Sequence, residues 1–350
     1  MDYDFLVKAE ELTLRYVTPP GARRLSFEQA DLSYAQWQES AKVKLAELLC
    51  VEVPAPCAVT ELRRTSHQGV EIKALVMRVS KDLTLPAYLL RSMSRPSVDH
   101  AVLALHGHGQ VEESLGVPGV RDDYHHAFAL ALARAGYLVL CPELRGFGAL
   151  YDLAAQRPGE SLSYWRWGRP MPNTLVSDGF QNGRTLIGDT IEDLLRWEQW
   201  ITANLDVSQV HVAGISWGGD LALTYPVFSD RVRSIFASGT LGSFTPIFSR
   251  SGNAAAHCIP GILKWLDRAD IAGLNAPRPL AIHYGELDIP RPDNLSAAFN
   301  ESAAGALDEL RRIYESAGAI DAVSVYISEG IGHEMDINVL LEFLATSRET

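Results

Sequence analysis

The chain has 350 residues, 47% of them hydrophobic and 21% charged, with a formal net charge of −12. This is material for a large globular core, arranged as one big domain with additions or as two domains. An acidic chain without a basic stripe excludes a nucleic-acid partner, because phosphate binding needs clustered Lys and Arg. No apolar run approaches the ~20 residues of a bilayer span, and the acidic start MDYDFLVKAEEL lacks a signal-peptide core, so a cytoplasmic protein with no membrane partner is expected. Cys50, Cys57, Cys141 and Cys258 show neither metal-ligand nor redox spacing and are expected to be buried free thiols.

Residues 1–69 read as an N-terminal helical extension packing on a main domain of residues 70–350. Ser33 and Gln36 form a capping-box pattern, followed by Tyr34, Trp37, Ala41, Leu45 and Leu48 at helical spacing. The apolar stripe needs a partner surface, on the same domain or on a second subunit, which leaves a homo-oligomer open. EIKALVMRVS (71–80) and LPAYLLRS (85–92) then read as strands joined by the turn KDLT.

From about residue 98 strands and helices alternate. AVLALHG (101–107), YLVLCPE (137–143), QVHVAG (209–214), RSIFAS (233–238), PLAIHYG (279–285) and AVSVYIS (322–328) are apolar runs of strand length. YHHAFALALARAG (124–136), TLIGDTIEDLLRWEQWITAN (185–204), GDLALTYPVF (219–228), AGALDELRRIYESAG (304–318) and DINVLLEFLAT (336–346) read as helices. Residues 145–183 read as a long irregular stretch. Continuous apolar strands separated by helices predict a parallel sheet covered on both faces.

AGISWGG (213–219) places Ser216 in G-x-S-x-G between a strand and a helix. The pattern alone arises by chance in roughly one chain in ten of this length, but the strand–turn–helix context is the one a nucleophile elbow requires. A serine hydroxyl needs a base, and the base needs an orienting carboxylate. Asp288 follows the strand AIHYG, and His333 follows the strand AVSVYIS. Both fall at carboxyl ends of strands, where open α/β sheets place their sites, and the order Ser, acid, His suits such a sheet. The oxyanion of an acyl-transfer intermediate needs backbone N–H donors. One is expected from Trp217, the other from His108 in HGHGQ (106–110), with Gly109 the alternative.

Other polar residues carry plainer expectations. Glu286 is a rival to Asp288 and otherwise a solvated loop charge. His106 and His108 form H-x-H without a third ligand at zinc spacing, so no metal is expected. His125 and His126 open a helix as surface or packing residues, and His257 sits in a loop, where a structural role is favoured over lining a pocket. Arg145 makes a structural salt bridge, and Asp189 and Asp193 favour the dipole of their helix. In SYWRWGRPMPN (163–173), aromatic and cationic residues crowd a long loop. Long loops in compact domains are usually functional, so Tyr164, Trp165, Trp167 and Met171 are expected to shape an acyl or alcohol pocket, the alternative being that they cover the sheet edge.

HGHG, PELRGFG (142–148), GISWGG, HYGELDIP and EGIGH together resemble the α/β-hydrolase superfamily, most of all its dienelactone hydrolase and acetyl xylan esterase-like group, over roughly residues 70–347. The resemblance implies a mostly parallel eight-stranded sheet, no cofactor, Ser216 as nucleophile, His333 as base, Asp288 as acid, and hydrolysis of a small-to-medium carboxylic ester. Dienelactone hydrolases proper use a cysteine nucleophile, and Glu143 stands where many relatives have aspartate. The same triad serves thioester, amide and C–C bond cleavage, and a non-catalytic ligand-binding member is the alternative of another class.

Overall fold

The computed structural model describes residues 23–95, 99–120, 122–150, 165–166, 169–245, 254–289 and 300–349, with backbone alone at 165–166, 169–174, 254–255 and 348–349. A nine-stranded sheet runs through the molecule. Its strands are β1 (Ala58–His67), β2 (Val70–Arg78), β3 (Thr84–Ser92), β4 (His100–Leu105), β5 (Leu138–Pro142), β6 (Gln209–Ile215), β7 (Val232–Ser238), β8 (Leu280–Gly285) and β9 (Val323–Ser328). Their spatial order is β1-β2-β3-β5-β4-β6-β7-β8-β9. The six strands from β5 to β9 in that order are parallel, and β1 to β3 form an antiparallel margin.

The sheet has one strand more than the eight expected. The extra one is β1, which lies within the stretch read as helical extension. Its sequence AVTELRRTSH is exposed at nearly every position. An edge strand open to solvent on both faces has no buried side, and therefore no period-two apolar signal to read.

Side chains of the central strands alternate between two cores. Ala101, Leu103 and Leu105 of β4 join one with Trp37, Ala41, Leu45 and Leu49 of helix α1 (Tyr34–Leu49). Val102 and Ala104 join the other with Phe128 of α2 (Phe128–Arg134). Helix α1 begins with the expected box, Ser33 N–H donating to Gln36 Oε1 at 3.2 Å. Trp37 Nε1 donates to the Leu25 carbonyl at 2.8 Å and Tyr34 Oη to that of Ala276 at 2.8 Å, so the stripe lies on its own chain.

Two further differences from the sequence reading bear on the site. The long stretch before residue 183 contains helix α3 (Met171–Gln181), preceded by a two-stranded pairing of Trp165–Arg166 with Arg169–Pro170. Pro172 lies in the first turn of α3, where the missing N–H costs nothing, but it argues against a helix when the sequence is read alone. Helix α2 begins at Phe128 rather than at Tyr124, after His126 and Ala127 at φ of 50° and 49°. The remaining helices are α4 (Leu186–Asn204), α5 (Trp217–Thr224), α6 (Arg268–Gly273), α7 (Ala303–Ser316) and α8 (Ile337–Glu349). All four cysteines are free thiols, and of these only Cys141 is fully buried. Among the described residues no helix is long and apolar enough to cross a membrane.

Candidate active site

Ser216 occupies the step from β6 to α5 with φ 56° and ψ −120°, a conformation that L-residues rarely adopt. Two glycines make the turn possible. A Cβ on Gly214 would collide with the backbone of Gly218, and a Cβ on Gly218 with the carbonyls of Leu105 and His106. The Ser216 amide donates to Ser238 O at the end of β7 at 2.9 Å, tying the turn to the neighbouring strand.

His333 and Asp288 meet beside the same strand end. His333 Nδ1 stands 2.8 Å from Asp288 Oδ2, with the carboxylate almost fully buried. A Cβ on Gly239, the residue after Ser238, would lie 2.8 Å from His333 Cε1 and 3.1 Å from Asp288 Oδ2. The opposite ring nitrogen, His333 Nε2, is buried and makes no hydrogen bond among the described residues. A buried ring nitrogen aimed at no partner is a costly arrangement, and it is what a base awaiting a proton looks like. The Ser216 hydroxyl is not yet hydrogen-bonded to it. Such contacts often close only in the substrate complex.

The loop after β4 lies against the serine: a Cβ on Gly107 would stand 3.1 Å from Ser216 Cβ. Trp217 is the first residue of α5, so its amide has no acceptor within the helix. Ser216, Asp288, His333, His108 and Trp217 thus gather around the ends of β4, β6, β7, β8 and β9. Glu286 does not join them; it accepts from the Gly330 amide at 2.9 Å in an exposed turn.

The sequence reading missed a second histidine–aspartate pair. Asp220, one turn beyond Ser216, accepts from His257 Nδ1 at 2.5 Å and pairs with Arg268 Nη1 at 2.6 Å, and all three side chains are buried. Arg268 also donates to Thr240 O and Oγ1 at 2.9 and 2.7 Å. Burial alone would raise the Asp220 pKa, but Arg268 and His257 hold it down at about 2. The His257 ring packs edge-on against Trp217 at 4.8 Å and lies 6.3 Å from the ring of His108. Burial, reinforced by His257 and His333, pushes His108 down to about 3, so its side chain is neutral at pH 7. The loop position of His257 gave no periodicity that would have placed it here.

Arg145 forms the expected salt bridge, Nε to Asp193 Oδ2 at 2.5 Å and Nη1 to Asp189 Oδ2 at 3.2 Å. Asp189 lies in the first turn of α4, as the dipole reading has it, and both acids also serve as partners of Arg145. Tyr164 and Trp167 lie outside the described residues. Trp165 and Met171 are described by backbone only, in the short pairing and at the start of α3.

One set of donors among the described residues has metal-like proximity: Glu113, Asp123 and His125. It does not involve the H-x-H pair. His125 Nε2 accepts from the Gly107 amide at 2.8 Å, so Nδ1 carries the hydrogen that faces Asp123 Oδ1 at 2.8 Å. A metal on Nδ1 would force that proton onto Nε2 and break the bond to Gly107.

A family model described as the alpha/beta hydrolase fold matches residues 101–277. No curated protein sequence matches the chain. Among solved structures, a candidate acetyl xylan esterase from Bacteroides fragilis superimposes with TM-score 0.76 at 16% identity, covering 99% of this chain and 96% of that one. A glucuronoyl esterase from Solibacter usitatus gives TM-score 0.60 at 14% identity, with coverage of 94% and 97%. Acetyl xylan esterase 1 from Thermoanaerobacterium sp. gives 0.52 at 15%, with 97% and 99%.

Proposed function

The chain belongs to the α/β-hydrolase family, and on that premise we propose that it is a serine hydrolase of small-to-medium carboxylic esters. The observation that carries this reading is the conjunction at one strand end: a serine held at φ 56° on an elbow, and a His–Asp pair at 2.8 Å whose second ring nitrogen is buried and has no partner among the described residues. Structural neighbours named for acetyl xylan and glucuronoyl esters favour an oxygen ester over a thioester or amide.

In this reading Ser216 Oγ attacks the ester carbonyl carbon as its proton passes to His333 Nε2. Asp288 keeps the other proton on Nδ1 and stabilises the imidazolium that forms. The carbonyl oxygen gains negative charge and takes hydrogen bonds from the His108 and Trp217 amides, with the N-terminus of α5 behind it. The tetrahedral intermediate collapses, His333 protonates the departing alcohol, and an acyl group remains on Ser216. Water, deprotonated by His333, then attacks the acyl carbon, and the acid leaves as Ser216 regains its proton.

Hydrolysis of p-nitrophenyl esters of increasing acyl length is the test. Wild type should be fastest on short chains, and Ser216→Ala should lose about 10⁵–10⁶-fold in kcat with an unchanged circular dichroism spectrum. Full activity in Ser216→Ala sinks the proposal.

A further inference from the structure

The His108 amide can serve as an oxyanion donor only if something holds its peptide in one orientation, and backbone bonding of the loop does not. Side chains do it instead. The Gly107 amide donates to His125 Nε2 at 2.8 Å. The Gly107 carbonyl accepts from His106 Nδ1 at 2.8 Å. The His108 carbonyl accepts from Tyr124 Oη at 2.7 Å. Among the described residues, the His108 N–H is then the one polar group of the Gly107–His108 backbone without a partner. In a planar trans peptide the N–H points opposite to the C=O. His106, by fixing the Gly107 carbonyl on one side, therefore aims the His108 N–H to the other.

Two of these three side chains come from one short segment, Asp123–His126, and it reaches the base as well. Asp123 accepts from the His125 amide at 2.9 Å and from its Nδ1 at 2.8 Å, which fixes the imidazole tautomer so that Nε2 is the acceptor. The Tyr124 ring lies 5.7 Å from the ring of His333, and Tyr124 O accepts from the Met335 amide at 2.9 Å. His126 Nε2 bonds Glu334 Oε2 at 2.7 Å, on the residue next to the base. The segment's last residue, His126, and the next one, Ala127, are successive non-glycine residues at positive φ, each costing on the order of 1 kcal/mol. Gly107 is required because a Cβ there would collide with the Tyr124 hydroxyl.

We propose that Asp123–His126 is the positioning element of the site. Through His125 and Tyr124 it fixes the peptides on either side of the Gly107–His108 peptide, so that the orientation set by His106 keeps the His108 amide aimed at the oxyanion, and through Tyr124 and His126 it keeps the His333 loop in register with that amide. The proposal rests on the serine-hydrolase reading above and concerns residues that act through others rather than on substrate.

The test compares wild type, Ser216→Ala, Tyr124→Phe, His125→Phe and His125→Gln on p-nitrophenyl acetate, reading kcat and KM separately and melting temperature alongside. Tyr124→Phe should lower kcat about tenfold, and His125→Phe about 10²-fold, the scale of losing an oxyanion donor's alignment, with KM within about threefold of wild type. Gln presents an amide oxygen that can accept from Gly107 and an NH₂ for Asp123, so His125→Gln should recover at least about tenfold in kcat over His125→Phe. A loss confined to KM, an undiminished kcat in both Phe variants, or a Gln variant no better than Phe would overturn the proposal. If His125→Phe does not fold, Tyr124→Phe decides, since it removes a single oxygen. An inactive wild type, or an active Ser216→Ala, would overturn the hydrolase reading itself. An active wild type with a dead Ser216→Ala and normal Phe variants would overturn the positioning role alone.

Discussion

Two Asp–His pairs flank the same serine. Asp288–His333 sits on the loops after β8 and β9, and Asp220–His257 joins α5 to a neighbouring loop, with Nδ1-to-carboxylate distances of 2.8 and 2.5 Å. Both carboxylates are buried. By distance alone the second pair is the closer contact. What separates them is what else each makes. The Asp220 carboxylate is clamped by Arg268, which neutralises it and ties α5 to Thr240. His333, by contrast, leaves Nε2 buried without a partner among the described residues, beside the strand that anchors Ser216. A close carboxylate–imidazole contact alone therefore does not single out a pair; in the proposed reading the second ring nitrogen and the strained serine beside it do.

The largest effect should come from breaking the first pair. Asp288→Asn is expected to cut kcat about 10⁴-fold with little change in melting temperature, because the asparagine no longer holds His333 in the right tautomer. The second pair should respond in the opposite way. Asp220→Asn removes the carboxylate that pairs with the buried Arg268 and is expected to cost about 3–5 kcal/mol in urea unfolding, while kcat of the folded fraction stays within about tenfold of wild type. Equal losses of activity in both variants would erase the distinction.

A buried histidine outside both pairs sharpens it further. His283 stands between Ser238 Oγ at 2.8 Å and Ser328 Oγ at 3.1 Å, and burial lowers its pKa to about 4 although Asp336 and Asp288 pull the other way. The folded protein keeps it neutral where the unfolded chain, with a pKa near 6.5, takes up a proton. Stability from this group is therefore fully present above about pH 6.5 and falls as pH drops toward 4, by on the order of 3 kcal/mol. Urea midpoints from pH 7 to 4 should show the decline, and His283→Asn a shallower one. The smallest effect is expected at the rival acid: Glu286→Gln should change kcat/KM less than about twofold and stability by less than about 0.5 kcal/mol.

Ser216, Asp288 and His333 were legible as candidates because each follows an apolar strand; β6, past its first residue, and β8 are buried throughout and read as continuous runs, and the edge strand β9 keeps the same composition while half-buried. The family model matches in the same region. What surrounds the triad was not legible. β1 lacks a buried face. α3 carries Pro172 and Gly179, which read as loop. His125, read as a surface or packing residue at a helix start, is fully buried against Gly107; that partner was not legible, because the helix starts only after two positive-φ residues that no side-chain pattern signals. His257 and Arg268 meet Asp220 across 37 and 48 residues of sequence, and such pairings depend on tertiary packing alone.

The most direct measurement is mass spectrometry of the enzyme quenched during turnover of p-nitrophenyl acetate. The account predicts an acetyl group on the peptide containing Ser216, accumulating faster than it is lost and absent in Ser216→Ala. Turnover with acetylation of another residue, or turnover that persists in Ser216→Ala, would contradict it.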